Sequence, residues 1–221
     1  MKTVYALYTG HGLVDPLAAV FAKELPGVRL INVVDDSIIR DVGAAGGITP
    51  EVASRVLQYY QIGVRTGADA ILNTCSSIGR VADDARGFVV IPVVRIDRAM
   101  AGEAVSRASR IGVIATLPTT LDPTLALIED TARDAGRSVT AVPALARGAY
   151  DELVSGHPER HDELILEAAR AVIGSGELFV LAQGSMARMA AGLAEATGLP
   201  VLSSIVSGIR SLRGPLGLPA E

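Results

Sequence analysis

The chain has 221 residues, of which 49% are hydrophobic, 20% are charged and 4% are aromatic. Its 20 Lys and Arg residues against 24 Asp and Glu residues give a net charge of −4. Because no dense basic stripe is visible, we expect no nucleic-acid and no membrane partner. The longest apolar run, residues 88–94, is far shorter than the roughly 20 residues that a membrane-spanning helix needs. One cysteine excludes a disulfide within the chain, and the N-terminal apolar stretch is too short for a signal sequence, so we expect a cytoplasmic protein.

Short β-branched runs alternate with longer helical patterns along the chain. Strands are predicted at residues 3–8, 28–34, 70–73, 88–90, 111–115, 139–142, 178–182 and 201–202. Helices are predicted at residues 13–24, 50–66, 95–107, 121–135, 158–174, 185–196 and 204–212. The strand segments are nearly continuous in apolar residues, as is typical of strands buried on both faces. The alternation predicts an α/β fold built on parallel sheets that are flanked by helices.

An internal repeat relates the two halves of the chain. Residues 71–80 (ILNTCSSIGR) recur as residues 179–188 (FVLAQGSMAR), 108 positions later, and at the same offset residues 4–8 fall on residues 112–116. We therefore predict two lobes related by a pseudo-twofold axis, each a parallel sheet flanked by helices, with the active site in the cleft between them. Lobe 1 is predicted to comprise residues 1–95 plus 201–221, and lobe 2 residues 96–200.

Cys75 is the strongest candidate for a catalytic residue. It follows a predicted strand and precedes a helix, and ligands of open α/β sheets bind at such strand ends. A helix N-terminus favours negative charge and lowers the pKa of a thiol. A buried packing cysteine is the alternative, but the neighbouring residues are polar. We predict Cys75 as the acid/base and Asn73, Thr74, Ser76 and Ser77 as substrate-binding residues.

Gln183 takes the place of Cys75 in the second half of the repeat. An amide forms hydrogen bonds but exchanges no proton near neutral pH, so we expect Gln183 to orient the substrate. Gly184 and Ser185 repeat the turn that follows Cys75, and we count both as substrate-binding residues. A helix cap without a ligand is the alternative for this turn.

Hydroxyl groups follow the first predicted strand of each half. Thr9 and Thr116 end those strands, and Thr119 lies three residues beyond Thr116. These hydroxyls can hold a substrate carboxylate, or they can cap a helix. His11 lies just past the first strand and is the nearest titratable candidate for a second base.

Two other kinds of site are disfavoured. Residues 9–15 (TGHGLVD) with Asp35 about 20 residues on partly match a dinucleotide-binding turn, but the third glycine is missing. His157 and His161 are four residues apart, but Pro158 lies between them and no third ligand is evident, so we predict no metal site.

Three stretches of the sequence resemble motifs of a known family. The motif Asn73-Thr74-Cys75-Ser76 resembles the first cysteine motif of the aspartate/glutamate/hydantoin racemase superfamily. Residues 110–116 (RIGVIAT) with Thr119 and Thr120 resemble that superfamily's opening strand and threonine motif in the second half. Residues 181–187 (LAQGSMA) are similar to the second motif of hydantoin racemases, which have a cysteine at the position of Gln183.

The resemblance implies a two-lobed α/β enzyme that needs no cofactor and forms a homo-oligomer. It also implies a small carboxylate-bearing substrate, such as an amino acid or a hydantoin, with proton transfer at the carbon next to the carboxylate or carbonyl. Gln183 removes the second cysteine that such racemases use. Glutamate racemases carry an acidic residue at the position of Thr9 and a histidine at that of Ser185, so glutamate itself is not expected.

An isomerase or racemase is therefore the first hypothesis for the function. A decarboxylase of a malonate-like acid is the second, because arylmalonate decarboxylase of the same superfamily works with one cysteine. A cis–trans isomerase, in which Cys75 adds to an activated double bond, is a third. A non-catalytic protein that binds small acids is the alternative from another class.

Overall fold

The computed structural model describes residues 1–219. The chain forms two compact units. The first unit comprises Met1–Arg98 and the described residues from Ile205 onward, and the second unit comprises Ala99–Ser204. Within residues 1–219, no helix is long and apolar enough to cross a membrane.

The first unit is built on a four-stranded parallel sheet. Its strands are β1 (Thr3–Tyr8), β2 (Arg29–Val34), β3 (Ala70–Asn73) and β4 (Val93–Arg95), in the order β2-β1-β3-β4. Its helices are α1 (Val14–Glu24), α2 (Ser37–Ala45), α3 (Pro50–Arg65) and α4 (Gly79–Asp84). The longest of them, α3, begins at a cap in which the Thr49 side chain accepts a hydrogen bond from the Val52 amide, and Pro50 takes the first helical position, where its missing N–H costs nothing.

The second unit repeats this arrangement. Its strands are β5 (Arg110–Ala115), β6 (Thr140–Leu145), β7 (Leu178–Leu181) and β8 (Val201–Ser203), in the order β6-β5-β7-β8, all parallel. Its helices are α5 (Arg98–Arg107), α6 (Pro118–Asp134), α7 (Ala149–Val154), α8 (Pro158–Ala171) and α9 (Ala190–Thr197), whereas α10 (Ser204–Arg210) belongs, from Ile205 onward, to the first unit. The predicted fold class, parallel sheets flanked by helices, is confirmed.

The strand pairing corrects the repeat by one residue. Leu7 pairs with Asn73 in the first unit, and Ile114 pairs with Leu181 in the second. The separations are 66 and 67 residues, so the second half carries one more residue between its paired positions. A single offset of 108 residues matches residues 4–8 to residues 112–116. The observed strand pairing shifts this match by one residue, so that Thr9 corresponds to Thr116.

Both faces of each sheet are buried, which explains the continuous apolar strands. Every residue of β1, β3 and β7 is buried. In the first unit, Tyr5 and Leu7 pack with Val56 and Tyr60 of α3. In the second, one face of the sheet packs against the cluster that contains Leu127 and Ile128 of α6, and the other against Ile165 and Ala169 of α8.

The strand predicted at residues 88–90 is wrong. The fourth strand is β4, five residues later, and Phe88 and Val90 are 66% and 87% exposed. The apolar character of this run led to a wrong prediction, because only Val89, which lies between Phe88 and Val90, is buried. The short helices α2, α4 and α7 were not predicted, and α6 begins at Pro118, three residues earlier than expected, because proline is tolerated at a first helical position.

Candidate active site

The end of β3 positions Cys75. Backbone hydrogen bonds from Ile96 to the Asn73 carbonyl (3.0 Å) and from Thr74 to the Leu7 carbonyl (3.2 Å) fix the strand end between its two neighbours. Cys75 is extended and precedes a 3₁₀ turn, Ser76–Ile78, which leads into α4. We call residues 75–78 the Cys75 turn. It lies at the carboxyl end of a central strand, the place where parallel sheets bind ligands.

Four hydrogen-bond donors surround the Cys75 sulfur. They are the hydroxyls of Thr9 and Ser77 and the backbone amides of Ser77 and Ile78. Contrary to the lowering expected from a helix N-terminus, burial raises the pKa of the Cys75 thiol, and these donors act in the opposite direction without cancelling the rise. The thiol is therefore protonated at neutral pH, and its thiolate would be received by donors already in place. Such a group can both give and take a proton.

Asn73 and Thr74 hold the turn from within the first unit. The Asn73 Nδ2 donates to the Cys75 carbonyl (2.9 Å), and its Oδ1 accepts from the Tyr60 hydroxyl (3.1 Å). The Thr74 hydroxyl donates to the Leu7 carbonyl (2.8 Å). Burial raises the pKa of Tyr60 far above the ordinary tyrosine value, so this hydroxyl stays a donor. Both predicted binding side chains thus have internal partners.

A buried ion-pair cluster, which the sequence patterns did not predict, lies beside the Cys75 turn. Arg95 donates to both carboxylate oxygens of Asp97 (3.0 Å each) and to Asp83 (2.5 Å). The exposed Arg98 also donates to Asp83. Burial lowers the pKa of Arg95, but the charges and hydrogen bonds of Asp97 and Asp83 together outweigh it and hold this pKa above the usual range. An arginine that ends the apolar strand β4 was the available signal, because charged residues are buried only when they are paired.

In the second unit, Gln183 is bound to Thr116 by two hydrogen bonds. The Gln183 Oε1 accepts from the Thr116 amide (2.8 Å), and its Nε2 donates to the Thr116 hydroxyl oxygen (2.6 Å). Thr116 is 5% exposed. Among residues 1–219 nothing accepts the hydroxyl hydrogen of Thr116, so this hydroxyl is an oriented and unused donor.

The other predicted residues are placed as follows. Ser76 and Ser77 are buried, Thr119 lies half-buried in the first turn of α6, and Gly184 and Ser185 begin a 3₁₀ turn with Ser185 exposed. His11 is exposed in the 3₁₀ turn His11–Leu13. The structure thus brings Thr9 and Ser77 to Cys75 and brings Thr116 to Gln183. It gives His11 no hydrogen bond to Cys75 among the described residues.

The two histidines of the second half have separate partners. His157 bonds Glu152 (2.9 Å), and His161 bonds Asp162 (2.7 Å), whose carboxylate also accepts two hydrogen bonds from Arg188 (2.6 Å each). In the described part of the chain, no group of three or more His, Cys, Asp or Glu side chains could hold a metal ion.

Comparisons with known proteins point in one direction. Residues 14–212 match the family model described as Asp/Glu/Hydantoin racemase. No curated protein sequence matches the chain significantly. Among solved structures, a glutamate racemase from Bacillus anthracis is similar with a TM-score of 0.81 and 15% identity, over 98% of this chain and 82% of that one.

Two further structures are similar. One is allantoin racemase from Klebsiella pneumoniae, with a TM-score of 0.69 and 18% identity over 100% of this chain and 91% of the other. The second is a mutant of arylmalonate decarboxylase in a sulfate-associated form, with a TM-score of 0.65 and 14% identity over 98% and 94%. At sequence identities this low, the similarity shows a shared fold and nothing more.

Proposed function

The chain belongs to the Asp/Glu/hydantoin racemase family, and on that premise we propose that it is a cofactor-independent enzyme that moves a proton at the carbon next to a carboxylate or carbonyl. The expected membership of this superfamily is confirmed, and with it the isomerase class. The substrate is a small acid such as an amino acid, a hydantoin or a related compound. Cys75 is the acid/base.

The observation that carries this proposal is the set of four donors around the Cys75 sulfur. A carbon acid gives up its proton only to a base that is held in place, and the resulting thiol must return the proton without moving. The donors stabilise the thiolate form, and burial favours the thiol form. Burial prevails and holds Cys75 as the thiol, while the four donors lower the cost of the thiolate that proton abstraction requires.

The oriented hydroxyl of Thr116 supports recognition of the substrate carboxylate. Because Gln183 Nε2 occupies an acceptor site of this hydroxyl, its hydrogen is directed elsewhere. We propose that Thr116 and Thr119 donate to the carboxylate. Thr9 and Ser77 donate hydrogen bonds that stabilise the thiolate of Cys75. Asn73 and Thr74 act indirectly, because they hold the backbone of the Cys75 turn in place.

The remaining predicted residues complete the proposal. The backbone at Ser76, Gly184 and Ser185 adds amide donors for the substrate, and Gln183 orients Thr116 instead of exchanging a proton. If the reaction is a racemisation, a second base is needed, and His11 remains the nearest candidate. A homo-oligomer and a cytoplasmic location stay part of the proposal.

The test is proton exchange in heavy water. The protein is incubated with separate candidate acids (aspartate, hydantoins, allantoin, arylmalonates and alkylmalonates), and deuterium at the α-carbon is followed by nuclear magnetic resonance. We expect exchange with at least one class of acid. Saturable binding of an acid without exchange, isomerisation or loss of carbon dioxide would identify a non-catalytic binding protein and contradict the proposal.

Decarboxylation of a malonate-like acid is the second candidate function. The engagement of Gln183 with Thr116 favours it, because the second half then offers an amide where a two-base racemase needs a thiol. A single proton donor suffices when carbon dioxide leaves and Cys75 protonates the resulting enolate. Release of carbon dioxide together with a product of one handedness would select this function. A cis–trans isomerase would instead convert maleate-like acids through a covalent adduct of Cys75.

A further inference from the structure

The Cys75 turn is followed by a glycine that lies directly against a buried arginine. Gly79 begins α4, and a Cβ atom on it would lie 2.5 Å from Cζ and Nη2 of Arg95 and 2.7 Å from Nε. The φ of Gly79 is −59°, an ordinary helical value that any residue can adopt. Glycine is therefore required here by the close approach of the guanidinium and not by the conformation of the backbone.

The guanidinium cannot swing away from Gly79, although it is the far end of a long side chain. Nε and Nη2 each donate to a different oxygen of Asp97, and Nη1 donates to Asp83. The side chains of Arg95 and Asp97 are 5% and 1% exposed. A bidentate arginine–carboxylate pair fixes the plane of the guanidinium as well as its position.

Arg95 thereby contacts the two structural elements that bound the Cys75 turn. It pairs with Asn73, the last residue of β3, in the sheet, and it lies against Gly79, the first residue of α4. The amides of Ser77 and Ile78, which donate to the sulfur, belong to the two residues just before Gly79. A displacement of Gly79 would move these two donors.

We propose that Arg95 is a positioning residue for the Cys75 thiol, because its guanidinium sets the position of Gly79 and so the direction of the two amides that face the sulfur. This inference rests on the proposed role of Cys75. The two aspartates beside Arg95 offset its charge. We therefore attribute the positioning of Gly79 to the planar shape of the guanidinium, with its forked pair of N–H donors, and not to its charge. Lysine would keep the charge and lose the fork.

The test is a double-mutant cycle of Gly79→Ala and Arg95→Lys. The readout is the rate at which iodoacetamide alkylates the protein as a function of pH, and since the chain has one cysteine this rate reports Cys75 alone. The new methyl group of Gly79→Ala displaces the amides from the sulfur. We expect alkylation at neutral pH to slow about tenfold, with the profile moved to higher pH.

Arg95→Lys is expected to shift the profile in the same direction. In its background, Gly79→Ala should add little, because the compact ammonium leaves room for the methyl group and the two effects are then not additive. Gly43→Ala is the matched control, since Gly43 is also helical and a Cβ there meets nothing within 4 Å. It should leave the profile unchanged.

Independent, additive effects of the two substitutions would overturn the proposal, and so would profiles that coincide with the wild type. If Arg95→Lys does not fold, as judged by circular dichroism, the comparison of Gly79→Ala with Gly43→Ala decides alone. Alkylation needs no substrate, so this outcome is separate from the proposed function. That function fails instead if proton exchange survives Cys75→Ser.

Discussion

Gln183 and Thr116 form a closed pair in which the glutamine accepts from the threonine amide and donates to the threonine hydroxyl. In the first unit the corresponding residues are Cys75 and Thr9, and there the threonine hydroxyl donates to the sulfur. The direction of the hydrogen bond between side chains is thus reversed between the two halves. One half holds a titratable thiol, and the other holds a threonine whose hydroxyl is free to donate.

Restoring a thiol in the second half should therefore create a second base. Gln183→Cys is expected to introduce or raise racemisation, because a positioned acid/base group contributes roughly 10²- to 10⁴-fold. Chiral chromatography of the product measures this effect. Gln183→Asn is the control, since it shortens the amide and adds no titratable group.

His11 gives the complementary prediction. If the wild-type protein already racemises its substrate, His11→Ala should slow racemisation by about 10²-fold or more, because the second proton transfer loses its base. The rate of inversion of one enantiomer measures the effect. An unchanged rate would show that His11 is not the second base.

The pH dependence of Cys75 follows from its half-buried position against the core of the first unit. Burial raises the pKa of the thiol, so at neutral pH its alkylation should be slower than that of a free cysteine in a small peptide. The rate should rise only as the pH passes above the ordinary thiol range. An alkylation profile with its midpoint below that of the peptide would contradict the raised pKa.

Removal of the Thr9 hydroxyl tests one of the four donors. Thr9→Val takes away a hydrogen bond that favours the thiolate, so the alkylation profile should move to still higher pH. Thr9→Ser keeps the hydroxyl and should stay near the wild-type profile. If the valine and serine variants behave alike, the hydroxyl of Thr9 does not act on the sulfur.

The buried pair of Tyr60 and Asn73 gives a prediction about stability. Tyr60→Phe leaves the Asn73 Oδ1 without its donor, and an unsatisfied buried acceptor costs about 1–3 kcal/mol of the free energy of unfolding. Denaturant unfolding measures this loss. Tyr59→Phe is a more exposed comparison, since it removes a hydroxyl that donates to Asp35 (3.1 Å), and Asp35 keeps its Ser37 donors.

Sequence patterns predicted the strands well where both faces are buried, because β1 and β3 are continuous in apolar residues. They failed at residues 88–90, where an apolar run is exposed, and no local signal separates that case from a strand. The prominence of Cys75 and the place of Gln183 followed from the repeat. The side-chain partners did not, since Thr74 bonds the Leu7 carbonyl 67 residues away and such pairs depend on the tertiary fold.

The role of Arg95 also depends on contacts that form only in the folded chain. An arginine at the end of an apolar strand indicates a paired charge, and Asp97 is only two residues away, but only the fold brings Asp83 to it as well. Gly79 likewise has no unusual backbone angle that would single it out. The sequence contained these residues, but their meaning depended on contacts that local patterns do not encode.

The central claim is that Cys75 exchanges the substrate proton, and the most direct measurement compares deuterium incorporation by wild type and Cys75→Ser in heavy water. A hydroxyl is a far weaker acid than a thiol and the substitution is nearly isosteric, so the fold should persist while incorporation falls by about 10²- to 10⁴-fold. Incorporation by the serine variant at a rate close to that of the wild type would contradict the claim.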